Sequence, residues 1–238
     1  MKIQGYHDFA AALLEIGFSI AGGNGEGIFS LVSHNWNETP PPDSPIRWHT
    51  GNPDTDPWEW RMRVLTERDD IACAKLFFRK SGYLTREWAP YFFAARNGGK
   101  TLDEAYALGT VSRRAKQIHS LICEQVFLPA HAIRQLTVSG TDAAARKREK
   151  SQMEATLTQL QMDLHVTLCG SQQKLNRAGE EYGWASNVFC TAQTFWGEDI
   201  FEKAAALDRG EAIEKIRARI LKVNPNAQEK QIKKFILG

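Results

Sequence analysis

The sequence predicts an α+β protein, and three features of residues 111–190 carry that prediction. Apolar residues recur at helical spacing through three successive stretches between Val111 and Leu160. At Asp163 the period falls to two, with Leu164, Val166 and Leu168 on one side and Asp163, His165 and Thr167 on the other. A loop over Gly170–Gly179, which carries Lys174, then leads to a second strand over Tyr182–Phe189. Three helices followed by a two-stranded hairpin is the order of a winged helix, with the third helix in the recognition position.

The flanking segments divide the chain into three regions. Residues 1–110 read as an N-terminal α+β region. It opens with a helix over about residues 6–17, with Phe9, Leu13 and Ile16 at helical spacing. A glycine-rich break follows, then a short strand over Ile28–Ser33 and a proline-rich loop over Pro40–Pro45. Asp56-Pro57-Trp58-Glu59 has Asp at the N-cap, Pro in the first turn and Glu three residues on, which starts a helix running to about Thr66. Ala74–Arg79 and Tyr83–Thr85 suggest a hairpin turning at Lys80-Ser81-Gly82. Thr85 reads as the cap of a helix beginning at Arg86, and Thr101-Leu102-Asp103-Glu104 as a capping box whose helix Gly109 ends.

Within 111–190, Val111, Ala115, Ile118 and Ile122 stripe a first helix. Pro129 opens a second, with Ile133 and Leu136 inward. Gly140 and Thr141–Ala143 make the turn into a third, over about Arg148–Leu160, with Met153, Leu157 and Leu160 on one face. Residues 191–238 form a helical tail with two helices, marked by Ile213, Ile216 and Ile220 and by Ile232, Phe235 and Ile236.

Composition bounds the function classes. Of 238 residues, 42% are hydrophobic and 24% charged, as in ordinary globular proteins. There is no uncharged apolar run of membrane-spanning length, and Asp8 and Glu15 interrupt the first apolar stretch, so no membrane partner and a cytoplasmic location are expected. Cys73, Cys123, Cys169 and Cys190 have no paired spacing, which favours reduced thiols over disulfides or zinc. With no glycine-rich phosphate loop, nucleophile elbow or His-Glu-x-x-His, no cofactor or metal is expected. Net charge is +2 overall but −3 over residues 1–110 (11 basic, 14 acidic), +3 over 111–190 (10 and 7) and +2 over the tail (9 and 7). The basic excess falls where a phosphate-facing surface is needed.

Four groups of residues could carry chemistry. Arg146, Lys147, Arg148 and Lys150 at the start of the third helix suit phosphate oxygens, or else form a solvated turn. Gln152, Gln159 and Gln161 can read adenine edges, or serve as exposed helix formers. With the chain extended at Gln161, Gln161 and Asp163 project to the same side, where an amide and a carboxylate can hold a water and stabilise positive charge, and His165 extends that face. Trp48, Trp58, Trp60, Arg61, Arg63, Arg68 and Trp88 line a base-stacking pocket or anchor the core.

These segments resemble a known family. Leu160-Gln161-Met162-Asp163 is similar to the Gln-apolar-Gln or Gln-apolar-Asp signature of the AlkZ/YcaQ winged-helix DNA glycosylases. Asp56–Arg61, Lys80–Leu84, Glu87–Pro90, Leu157–Met162 and Tyr182–Trp184 resemble the bacterial AlkZ-related proteins, a likeness that covers most of residues 1–197. The glycosylases excise alkylated bases without a metal. The resemblance therefore implies a DNA-binding, DNA-repair protein with Gln161 and Asp163 as catalytic residues. Charge and helix position, apart from the resemblance, point to DNA contacts through Arg146, Lys147, Arg148, Lys150, Gln152 and Lys174. The competing expectation is a non-catalytic winged-helix module that binds a protein, or senses a small ligand in its aromatic N-terminal region.

Overall fold

In the computed structural model, which describes residues 2–238, the N-terminal region wraps helices around a small antiparallel sheet. Helix α1 (Tyr6–Ile16) ends at Gly17, whose φ of 105° lets the chain turn directly into β1 (Phe18–Ile20). A Cβ on Gly17 would lie 2.1 Å from the Trp88 ring, so only glycine lets these elements meet. Helix α2 (Pro57–Glu67) starts as expected, with Asp56 accepting from the Trp58 amide. Strands β2 (Ile71–Phe77) and β3 (Lys80–Thr85) form the hairpin, and the sheet order is β1-β3-β2.

Three expectations here are corrected. Ile28–Ser33 is not a strand; only Ser30 bridges to Ile20, while Ile28 and Val32 plug the core. The hairpin turns at Phe78-Arg79 and not at Lys80-Ser81-Gly82, with φ of 51° and 61° at the two turn residues. Two left-handed residues match the twist of the strands, and the turn needs no glycine to form. Thr85 is buried, and the helix after it, α3 (Ala89–Asn97), begins only at Ala89 because residues 86–88 make a separate turn.

Helix α4 (Leu102–Ala107) has the complete capping box of Thr101 and Glu104. There follow α5 (Arg113–Gln125), β4 (Leu128–Pro129), α6 (Ala130–Thr137), α7 (Ala143–Met162), β5 (Val166–Leu175) and β6 (Glu181–Thr191), with a second sheet ordered β4-β6-β5. Ala115, Ile118, Ile122, Ile133, Met153, Leu157 and Leu160 are buried as expected, but Leu136 is 56% exposed. Helix α7 begins at Ala143 because Asp142 caps it, five residues before the expected start at Arg148. It also runs on through Met162, and the chain is extended only after Leu164 reverses it with φ of 59°. Leu164, Val166 and Leu168 are buried, but so are His165 and Thr167, because both faces of the first part of β5 are covered. Strand β5 continues to Leu175, so the loop is 176–180 rather than Gly170–Gly179.

The tail holds α8 (Ala192–Trp196), α9 (Glu198–Ala205), α10 (Arg209–Val223) and α11 (Glu229–Leu237), two helices more than expected. Helices α9, α10 and α11 pack on α3, so the tail closes over the N-terminal region. Arg96 fastens this closure, donating to the carbonyls of Leu76, Met162, Phe235 and Ile236 and so joining β2, α7 and α11. Strand β2 touches both α7 and β5, so one apolar cluster runs through all three regions. Among the described residues, no helix is long and apolar enough to cross a membrane.

Candidate nucleic-acid groove

Gln161 lies in the last turn of α7 and is 4% exposed. Its Nε2 donates to the Leu157 carbonyl at 2.9 Å, and its Oε1 accepts from the Lys75 amide at 3.0 Å. The register of β2 against β3 shifts between Ala74 and Phe77, which takes Lys75 out of the regular ladder, and Gln161 accepts from the amide there. One lone pair and one N–H of the Gln161 amide are left over. Gln161 lines a groove of about 370 Å³ between the N-terminal sheet, α6, α7 and the β5–β6 hairpin.

The groove walls are cationic. Arg61, Lys75, Arg134, Lys150 and Lys174 line it, against a single carboxylate, Glu154, which lies 3.7 Å from Lys150. For a chain of net charge +2, that is a marked local concentration. His131 also lines it, with its buried Nδ1 unpartnered. The sequence had singled out Lys150, Lys174 and Gln161. Arg134, Lys75 and His131 were missed, although Lys75 is the lone charge in the strand Ile-Ala-Cys-Ala-Lys-Leu-Phe, a usable sign of an open strand face.

The basic run at the start of α7 divides by helical angle. Measured from Lys150 at 100° per residue, Arg146 lies within roughly 40° and Lys147 within roughly 60°, whereas Arg148 and Gln152 lie roughly 160° away. Arg146, Lys147, Arg148 and Gln152 are all exposed. Only the first two extend the groove's line outward.

Asp163 is not on the Gln161 side. Because the helix continues through Met162, the two side chains enter different clefts with no lining residue in common. The Asp163 carboxylate accepts from Gln159 Nε2 at 2.9 Å, and its backbone carbonyl accepts from Asn97 Nδ2 at 2.6 Å. Burial raises its pKa above the ordinary carboxylate value, against the opposing pull of the Gln159 bond and the Arg96 charge. Its cleft, about 320 Å³, also touches Arg96, Lys100 and His165. Burial, aided by the nearby His119, brings the His165 imidazole down to about 4, so it is neutral at physiological pH.

The aromatic set also divides. Trp60 and Trp88 are core. Trp48 and Trp58 join Trp36, which is 64% exposed and went unnoticed in the sequence, around a second pocket of about 420 Å³. A lone tryptophan in the polar loop Ser33–Thr39 was the sign that could have found it. This pocket shares Arg61, Lys75 and Ser81 with the groove, so the two are continuous. Asp56 shapes its rim: beyond capping α2, its carboxylate accepts from the Thr50 and Gly51 amides at 2.7 and 3.0 Å. Burial raises the pKa of Asp56, but these backbone bonds outweigh it and hold the carboxyl below its ordinary value.

No curated protein and no solved structure matches the chain. A family model described as AlkZ related matches residues 3–237, which is nearly the whole chain. With so much of the sequence covered, the chain belongs to the AlkZ-related family.

Proposed function

We propose that the chain binds duplex DNA along this groove and serves base-excision repair of alkylated DNA. In this reading residues 111–190 form a winged helix, supported by the element order helix, strand, helix, helix, strand, strand and the pairing of β4 and β5 on either side of β6. The observation that carries the reading is the meeting of five cations with one carboxylate in a groove formed by α6, α7 and the hairpin. Phosphates are held by such charges without regard to sequence. The exposed Trp184 and Tyr182, on the same hairpin as Lys174, offer flat contacts to sugar and base edges.

For the excision step, Gln161 is the member of the family signature that meets the bound strand. Its free N–H and lone pair can orient water or a sugar oxygen at the groove floor. Asp163 acts as a positioning residue, through Gln159 and the end of α7.

The test is a titration of the purified chain with labelled duplex at two salt concentrations. Replacing Arg134, Lys150 and Lys174 together by Ala should weaken binding to every sequence and lower the salt slope by about three phosphate contacts' worth. Unchanged affinity and slope in the folded variant would remove DNA from this groove.

A further inference from the structure

The pocket beyond the groove has features that DNA-backbone binding does not use. Trp36 and Trp58 leave 64% and 40% of their surface exposed, although large aromatic rings gain most from burial. His49 stands between them, with ring centroids 5.9 Å from Trp36, 5.1 Å from Trp58 and 6.3 Å from Trp48. Its φ is 60°, a conformation that side-chain-bearing residues seldom adopt and that marks a locally imposed geometry. Trp48 is fixed from behind: its Nε1 donates to the His34 carbonyl at 3.1 Å, and a Cβ on Gly22 would lie 2.5 Å from its ring.

Charge then selects the occupant. No carboxylate lines this pocket, whereas Arg61, Lys75, Arg79 and Lys80 do. Lys80 is paired with Glu26, but Arg61 makes no ion pair among the described residues. Its guanidinium stacks 4.0 Å from the Trp58 ring centroid, and its buried Nε has no hydrogen-bond partner. An aromatic cage for a cationic ligand needs carboxylates or bare ring faces, and here an arginine already covers one face. A flat, neutral ring carrying an anionic group fits both halves of the site.

We infer that this pocket takes the base of a nucleotide against the open faces of its tryptophans, with the attached phosphate on Arg61. Two sources share that chemistry: an unpaired base in a strand lying in the groove, and a free mononucleotide. The strand-borne form rests on the DNA-binding reading above. Continuity through Arg61 favours it, because one guanidinium then sits where the backbone leaves the groove and the base enters the pocket.

The experiment measures three affinities for the whole chain: intact duplex, the same duplex with one unpaired adenine, and adenosine 5′-monophosphate, the last by quenching of tryptophan fluorescence. Trp36→Ala removes an exposed ring and should leave the fold intact; Arg61→Gln keeps a polar hydrogen-bonding end on a shorter side chain and removes the charge. Preference for the unpaired adenine by at least about tenfold, erased in both variants while intact-duplex affinity in Trp36→Ala is unchanged, is the expected result. Monophosphate binding that the variants abolish, without any preference between duplexes, assigns the pocket to a free nucleotide. If no duplex is bound but the monophosphate is, the DNA-binding reading falls and this inference stands. If duplex binds without preference and the monophosphate fails to quench, the inference is overturned and the DNA-binding reading remains.

Discussion

Two arginines at the two clefts beside the end of α7 are used in opposite ways. Arg96, near Asp163, is engaged by four backbone carbonyls drawn from β2, α7 and α11. Arg61, at the junction of the groove and the aromatic pocket, makes no ion pair, and its Nε is buried without a partner. A donor set satisfied inside the protein holds the protein together. One left unsatisfied beside open volume is available to something else. On this basis the proposed function falls to the Gln161 groove, and the Asp163 cleft is read as holding the fold together.

The sharpest test of the structural half is Arg96→Leu. It leaves four carbonyls without their donor and should cost on the order of 3 kcal/mol or more, enough to lower the thermal midpoint by many degrees. Arg61→Leu should cost under about 1 kcal/mol, since no hydrogen bond is broken. Equal losses for the two, measured by denaturant unfolding, would dissolve the distinction.

His165 gives the structural cleft a pH signature. Its ordinary value is 6.5 and its folded value about 4, so on acidification the unfolded chain takes up the proton first. The contribution is fully present above about pH 6.5 and is lost as pH falls toward 4, amounting to about 3 kcal/mol. His165→Leu should flatten that part of the stability–pH curve. A wild-type curve that is already flat between pH 6.5 and 4 would mean that the imidazole titrates freely.

If the chain excises bases as proposed, the excision assay should rank the signature residues across the two clefts in the reverse of the order their charges suggest. Gln161→Ala should lower the release of alkylated bases by about 10²-fold, because it removes the only signature side chain on the groove floor. Asp163→Asn should cost less than about tenfold, since in this reading Asp163 acts only through its bond from Gln159. Thermal midpoints of both variants separate a lost reaction from a lost fold. Complete inactivity of Asp163→Asn with normal release by Gln161→Ala would put the chemistry back on the carboxylate.

What the sequence conveyed was local. The capping box at Thr101 and Glu104, the Asp56 N-cap and the apolar stripe through Met153, Leu157 and Leu160 each depend on neighbours within a few residues, and each was legible. The pairing of Gln161 with Asp163 was misjudged because one or two further residues of helix rotate a side chain to another face, and helix ends are set by cap and packing geometry. The bond from Lys75 to Gln161 joins residues 86 apart in the chain, and no periodicity encodes it. Asp56 shows the limit within one residue: its capping role was visible, but not its hold on Thr50 and Gly51, which gives the pocket loop its shape.

The smallest expected effect is the most discriminating for how DNA lies on the working side. Arg146, Lys147 and Arg148 are adjacent in sequence, exposed and equal in charge, so a duplex passing loosely over the end of α7 would feel all three alike. A duplex seated in the groove would not, because Arg146 and Lys147 continue the line of Lys150 while Arg148 points roughly 160° away. Each of Arg146→Ala and Lys147→Ala should therefore weaken binding by a few-fold and reduce the salt slope by about one. Arg148→Ala, tested in the same buffers, should leave both nearly unchanged, because a charge more than about 10 Å from the phosphates is largely screened at moderate salt. Were Arg148→Ala to weaken binding as much as Arg146→Ala, the contact surface would wrap the outer face of α7, and the groove would lose its claim to the phosphates.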